Sequence, residues 1–240
     1  ALGATHLATG HYAQVGDNGG LRVAEDSDKD QTYFLFPVTT KALAASMFPL
    51  GGMTKPEVRE HARRMGLVTA EKGESQEVCF IPDDDHARFV RERSPELDGS
   101  GEIVDESGSV LGVHDGYWRF TIGQRRGLGV ALGTPAYVLD IDASSGRVVI
   151  GPNERLQHHT LHATGANWFR RPVAGEAVQA RVRHRGRMLP CSVEETGEKA
   201  FTVRFHTPAR AAARGQAVVL YAGEEVLGGG WIQHVEAPHA

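Results

Sequence analysis

From residue 160 onward the chain is divided into short apolar segments at near-regular spacing: 161–168, 176–184, 189–195, 200–205, 216–222 and 226–235. Turn residues separate them. Even strand spacing of this kind is the signature of a small β-barrel or sandwich, since short strands bury their apolar faces only by closing on one another. No internal repeat and no low-complexity segment interrupts the pattern.

Upstream the organisation is mixed. Leu7–Tyr12 reads as a strand ending in a glycine-containing loop, and Leu21–Ala24 as a second short strand after the turn-rich Gly16–Gly20. A short helix is expected at 39–47. The clearest helix signal spans 54–65, with Thr54 as N-cap, Glu57 completing a capping box and Gly66 as the stop. Val58, Ala62 and Met65 share one face of it, which predicts packing on a core. Val78–Ile81 reads as an apolar strand closed by Pro82, followed by a helix at about 84–93. Two hairpins follow, Ile103–Val104 with Val110–Leu111 and Tyr137–Ile141 with Arg147–Ile150. Between them lies Gly116–Gly129, whose four glycines and three arginines suggest a loop with its backbone close to a ligand.

Apolar content is 40% and charged content 23%, ordinary for a globular protein. No apolar run approaches the roughly 20 residues needed to span a bilayer, and no basic segment leads into an apolar one as in a secretory signal. A cytoplasmic setting is expected. The opening Ala1–Ala4 reads as the interior of a longer protein. The two cysteines, Cys79 and Cys191, lie far apart; a disulfide is possible in principle, and two independent thiols are the simpler reading. Neither has a Cys or His at zinc-ligand spacing, so no metal site is expected.

The net charge of −4 does not favour nucleic acid, but its distribution does. Residues 160–240 hold 10 Lys/Arg against 7 Asp/Glu, many of them at Arg170, Arg171, Arg181, Arg183, Arg185 and Arg187. That pattern suits a solvated strand face or a phosphate-binding stripe equally. Cys79 in Val-Cys-Phe-Ile is either an inert core thiol or a reactive one at a polar strand edge. Gly10-His11 fits a plain turn or a close approach to a ligand, and Lys29-Asp30-Gln31 a solvated loop or a binding one. Cys191, on a presumed barrel strand, reads as structural.

In order along the chain, the motifs are ATGHYA (8–13), KDQTYFL (29–35), FPLG (48–51), SQEVCFI (75–81), GVHDG (112–116), TIGQRRGLG (121–129) and LGGG (227–230). This ordered set resembles the bacterial tRNA-specific 2-thiouridylases over about residues 3–236. The resemblance implies an α/β plus β fold. Residues 1–80 are the end of a Rossmann-like ATP-pyrophosphatase domain, 81–155 a small central domain, and 156–240 a C-terminal β-barrel. It implies an ATP-dependent sulfurtransferase, using Mg²⁺ with ATP, that thiolates C2 of the wobble uridine. ATP adenylates O2, and a persulfide on a cysteine supplies sulfur to C2. A second, upstream cysteine helps release it.

On this map Cys79 is the persulfide cysteine and Gly10 approaches the ATP. His11, Lys29, Asp30 and Gln31 lie against the tRNA near the target base, and the barrel contributes Arg181, Val182 and Gln216 to tRNA binding. Many relatives have an aromatic where Val182 stands. The partners implied are tRNAs of the Lys, Glu and Gln type and a sulfur-relay protein or cysteine desulfurase, with no membrane. The family's S-G-G-x-D-S pyrophosphate loop and its upstream cysteine are not in this sequence, so these residues alone are expected to be inactive in thiolation. A non-catalytic RNA-binding module is the alternative. A ligase of the argininosuccinate-synthetase type leaves EVCFI, TIGQRRGLG and the barrel unexplained.

Overall fold

The computed structural model describes residues 3–71 and 86–236. They fall into two compact units, one formed by residues 3–71 with 159–236 and the other by residues 86–158. The expected strand at Val78–Ile81, with Cys79, lies outside the described residues.

The first unit begins with β1 (Leu7–Ala8), β2 (Gln14–Val15) and β3 (Leu21–Arg22). Helices α1 (Thr32–Leu35) and α2 (Thr40–Ala44), strand β4 (Ser46–Met47) and helix α3 (Lys55–Arg64) follow. β1 and β4 pair in parallel, so the helix expected at 39–47 ends at Ala44 and its last two residues become strand instead. α3 starts and stops where its caps require. The Glu57 carboxylate accepts from the Thr54 N–H at 2.7 Å, and Gly66, at φ +65°, lets Leu67 N–H reach back to the Ala62 carbonyl at 3.0 Å. Its expected core contact is absent: no residue of α3 is buried, and Met65 just beyond it is 72% exposed. The periodic face is there, but Val58 and Ala62 are only half-covered.

The barrel consists of β9 (Gln157–Trp168), β10 (Val178–Arg181), β11 (Leu189–Gly197), β12 (Ala200–Arg210), β13 (Ala217–Ala222) and β14 (Glu225–Val235). The order β13-β10-β11-β12-β9-β14 closes through β13–β14 pairing into six strands without a free edge. Its interior is apolar, with Leu161, Val203, Val218, Leu220, Leu227 and Ile232 all fully buried. The segment expected as strand 176–184 is strand only over Val178–Arg181; residues 182–188 leave the sheet as a loop.

β13 reads Ala-Val-Val-Leu-Tyr-Ala, a continuous apolar run rather than an alternating one, which is what a strand buried on both faces requires. Val218 and Leu220 point into the barrel. Ala217, Val219 and Tyr221 point outward, where Tyr33, Leu35, Phe36 and Leu43 of the N-terminal segment cover them. Each large side chain so buried contributes about 1.5–3 kcal/mol. β3 adds to the barrel sheet through Glu225↔Arg22, with β2 outside it. The LGGG motif lies on β14, and its glycines are steric: a Cβ on Gly229 would sit 2.7 Å from the Val218 carbonyl oxygen and 2.8 Å from the Phe36 ring.

The second unit holds α4 (His86–Arg93) and four strands, β5 (Gly101–Val104), β6 (Val110–His114), β7 (Tyr137–Asp142) and β8 (Arg147–Gly151). Both expected hairpins form, and parallel pairing of β5 with β8 joins them in the order β6-β5-β8-β7. Ile103, Val138, Val148 and Ile150 make its core with Phe120 and Leu128 of the TIGQRRGLG stretch. That stretch is braced locally. Thr121 N–H donates to the Gln124 side-chain oxygen at 3.0 Å, the Gln124 amide donates to the Arg126 carbonyl at 2.9 Å, and Gly123 N–H pairs with Val138. A shallow cleft of about 480 Å³ lies beside it, lined by Arg125, Gly127, Leu128 and Gly129 among others.

Candidate nucleic-acid interface

The KDQ segment is a loop held at every residue. Lys29 N–H donates to the Asp26 carbonyl at 3.0 Å, and Asp26 also accepts from Lys55 N–H at the start of α3, at 2.9 Å. Gln31 exchanges hydrogen bonds with Tyr12: its side-chain oxygen accepts from Tyr12 N–H and its own N–H donates to the Tyr12 carbonyl, both at 2.9 Å. That exchange fixes the chain just after Gly10-His11. His11 is half-buried, its Nδ1 2.5 Å from the Thr9 hydroxyl and its ring edge-on to Phe48 at 6.5 Å. Gly10 is exposed, and a Cβ there would meet only a Leu50 methyl at 3.8 Å, so the backbone is open to a ligand.

Asp30 is the pivot. Its side chain is 2% exposed and faces Arg181 of β10, whose side chain is 14% exposed, across 3.1 Å. The same carboxylate accepts from Ala24 N–H at 3.2 Å and from the Thr32 hydroxyl at 2.9 Å. A second layer supports it. The Tyr221 hydroxyl lies 3.4 Å from Thr32 Oγ1, and the Arg181 guanidinium sits over the Tyr221 ring at 5.5 Å. Tyr33 O–H donates to the Ala217 carbonyl at 3.0 Å. Burial pushes both tyrosine hydroxyls up to about 12, so they stay neutral donors at any physiological pH. The ion pair therefore ties the KDQ loop to the barrel wall and fixes the direction of Arg181.

Past Arg181 the chain turns out of the sheet. Val182 is buried in the barrel core, while Arg183, Arg185 and Arg187 are exposed. His184 lies between them, 4.5 Å from the Phe34 ring. Burial, with Arg185 and Arg181 nearby, lowers its pKa, so the ring is neutral near pH 7. Gln216 stands apart from this group at the start of β13. Its backbone carbonyl accepts from Ile232 N–H at 2.8 Å, and its buried side-chain oxygen finds no partner among the described residues. Cys191 is a free thiol facing the barrel core, pushed up to about 12 by burial, which suits packing rather than nucleophilic work.

Of the sequence-derived candidates, Asp30 and Arg181 thus meet directly, and Gln31 reaches the segment bearing Gly10 and His11. Val182 faces inward, and Cys79 lies outside the described residues. Sequence reasoning passed over Thr32, Tyr221 and the Phe34–His184 contact. The doubly buried character of β13 was the available signal for the second of these.

Three family models cover the chain in succession: a tRNA methyl transferase HUP domain over residues 1–83, a tRNA methyl transferase PRC-barrel domain over 87–152, and an aminomethyltransferase beta-barrel domain over 158–232. The tRNA-specific 2-thiouridylase MnmA of Geobacter metallireducens is 49% identical over 238 residues, covering 96% of this chain. That of Chlorobaculum tepidum is 46% identical over 247 residues, covering 99% of this chain and 68% of the relative. The chain belongs to the tRNA-specific 2-thiouridylase family. It spans 64% of the length of the Geobacter relative and of a 48%-identical one from Geotalea uraniireducens. Family membership accounts for the order of the motifs; the geometry explains individual residues in them. LGGG serves strand packing, KDQTYF docks a loop on the barrel, and TIGQRRGLG braces the second unit. Among the described residues no helix is long and apolar enough to cross a membrane.

Proposed function

We propose that this chain is the tRNA-engaging and sulfur-carrying part of an ATP-dependent tRNA 2-thiouridylase that thiolates C2 of the wobble uridine. The observation that carries the reading is the 49% identity to a tRNA-specific 2-thiouridylase across nearly the whole chain. The docked KDQ loop and the arginines of the barrel support it. Cys79 is the proposed persulfide carrier, because a persulfide is a strong nucleophile near neutral pH. Gly10 leaves its backbone open toward nucleotide, and bound ATP would make the uridine O2 a leaving group.

In this reading His11, Lys29 and Gln31 face the target region of the tRNA. Asp30 acts through Arg181, since its carboxylate is already engaged by Ala24, Thr32 and Arg181. Val182 supports the same loop from the barrel core, and Gln216 has an uncommitted side-chain oxygen to offer a base or ribose. Among the described residues no cluster of His, Cys, Asp or Glu could hold a metal, so we assign none of them to Mg²⁺. The proposed substrates are tRNAs of the Lys, Glu and Gln type, and the sulfur donor is a relay protein or desulfurase acting at Cys79.

The test joins the chain to a family N-terminal segment carrying the pyrophosphate loop and assays ATP-dependent formation of 2-thiouridine in tRNA. Activity that is lost in Cys79→Ser supports the reading. Activity that survives the substitution removes Cys79 from the chemistry. Absence of activity in both, with salt-sensitive tRNA binding, favours a non-catalytic RNA-binding module, a reading the exposed arginine loop also suits. The 240-residue chain by itself is expected to bind tRNA without thiolating it.

A further inference from the structure

Two features next to Arg181 have no part in holding the fold. The first is a cleft of about 620 Å³ in the loop after β10, rimmed by Arg183, Arg185, Arg187 and Arg210. Its apolar wall is Val182, Leu189 and Pro208, and no acidic side chain lines it. No carboxylate lies within ion-pair distance of Arg183, Arg185 or Arg187 among the described residues. Like charges gathered around one cleft repel one another unless an anion sits between them. The planar fork of arginine suits phosphate oxygens best.

The second feature is Phe34. Its neighbours Tyr33 and Leu35 are buried, yet Phe34 is 54% exposed. One side of its ring is backed by His184, at a 37° tilt. An aromatic ring held this way against the arginine loop is a platform for another ring. A duplex would satisfy the arginines but would keep its bases stacked inside, leaving Phe34 unused. An unpaired strand satisfies both.

We propose that the cleft holds backbone phosphates of an unpaired RNA segment while Phe34, backed by His184, stacks on one of its bases. This rests on the reading that the chain acts on tRNA. It goes beyond it by naming four arginines and an aromatic platform that the family resemblance did not assign, and by specifying single-stranded RNA at this place.

The experiment measures fluorescence anisotropy of a labelled, unmodified anticodon stem-loop with the full chain, between about 50 and 200 mM KCl. The triple variant Arg183→Gln/Arg185→Gln/Arg187→Gln is expected to flatten the slope of log K against log[salt] by about 2, since each lost phosphate contact on a single strand removes about 0.7. The matching triple Lys variant is expected to keep the slope. Phe34→Ala is expected to weaken stem-loop binding about 5- to 100-fold with no change of slope, and to leave binding of a fully paired hairpin unchanged. Phe34→Trp is expected to retain affinity. A wild-type slope in the Gln triple variant, with its thermal melt unchanged, overturns the cleft assignment while leaving tRNA recognition standing. Equal effects of Phe34→Ala on loop and duplex overturn the stacking assignment. Failure of the wild-type chain to bind the stem-loop at any salt removes the underlying reading together with the proposal.

Discussion

Replacing Asp30 by Ala is the perturbation whose cost the structure specifies most closely. The carboxylate is 2% exposed and is the counter-charge of an arginine that is itself 14% exposed. Its removal leaves the Arg181 charge in a poorly solvated place, where Arg181 Nε already has no partner among the described residues. It also strips the Ala24 N–H and the Thr32 hydroxyl of their acceptor. Breaking a buried pair from one side costs about 3–5 kcal/mol, most of it the penalty of the charge left behind. Asp30→Asn keeps an acceptor for the amide and hydroxyl and is expected to lose about 1–2 kcal/mol less. In the pair Asp30→Leu/Arg181→Met neither charge remains, so the double variant is expected to be more stable than Asp30→Ala. Urea unfolding of the full chain, with equal m-values as the two-state check, gives all three numbers. A loss below about 1 kcal/mol for Asp30→Ala, or a Leu/Met double variant no better than the single, would refute the claim that this ion pair anchors the KDQ loop.

Three further outcomes are expected. Gly229→Ala forces a methyl group against the Val218 carbonyl and the Phe36 ring and is expected to cost about 1–3 kcal/mol in the same unfolding assay. The bidentate Arg170–Glu176 pair holds the Glu176 carboxyl down to about 2, from an ordinary 4.5, through the arginine's hydrogen bonds. The folded value lies below the unfolded one, so this stabilisation is complete above about pH 4.5 and is lost as pH falls toward 2; the stability gap between wild type and Glu176→Gln is expected to close over that window. In a Cys79→Ser background, Cys191 is expected to react with an aromatic disulfide reagent only as fast as the protein unfolds, because its thiol is buried and pushed up to about 12.

Much of the local architecture was legible from residue pattern. The capping box at Thr54–Glu57 and the stop at Gly66 bound α3 as expected, and both hairpins of the second unit fall where their turn residues put them. The barrel strands follow the apolar spacing, except that 182–184 leave the sheet. There the alternation Arg181, Arg183, Arg185, Arg187 imitates a strand, whereas the chain is in fact a loop presenting the last three arginines to solvent. The functional reading of KDQ was correct in finding a special loop but could not separate its members. Lys29 and Gln31 are half-buried, whereas Asp30 is almost completely enclosed.

The sequence by itself determined the period of each element, its caps and turns, and the family, because these depend on residues close together in the chain or on their order along it. Only the tertiary structure decided that residues 21–43 lie on the outer face of β13, roughly 190 positions away, and that Asp30 meets Arg181. It also decided that α3 keeps an apolar edge in water. Those outcomes depend on which surface reaches which partner, and an amphipathic pattern states that a face must be covered without naming what covers it.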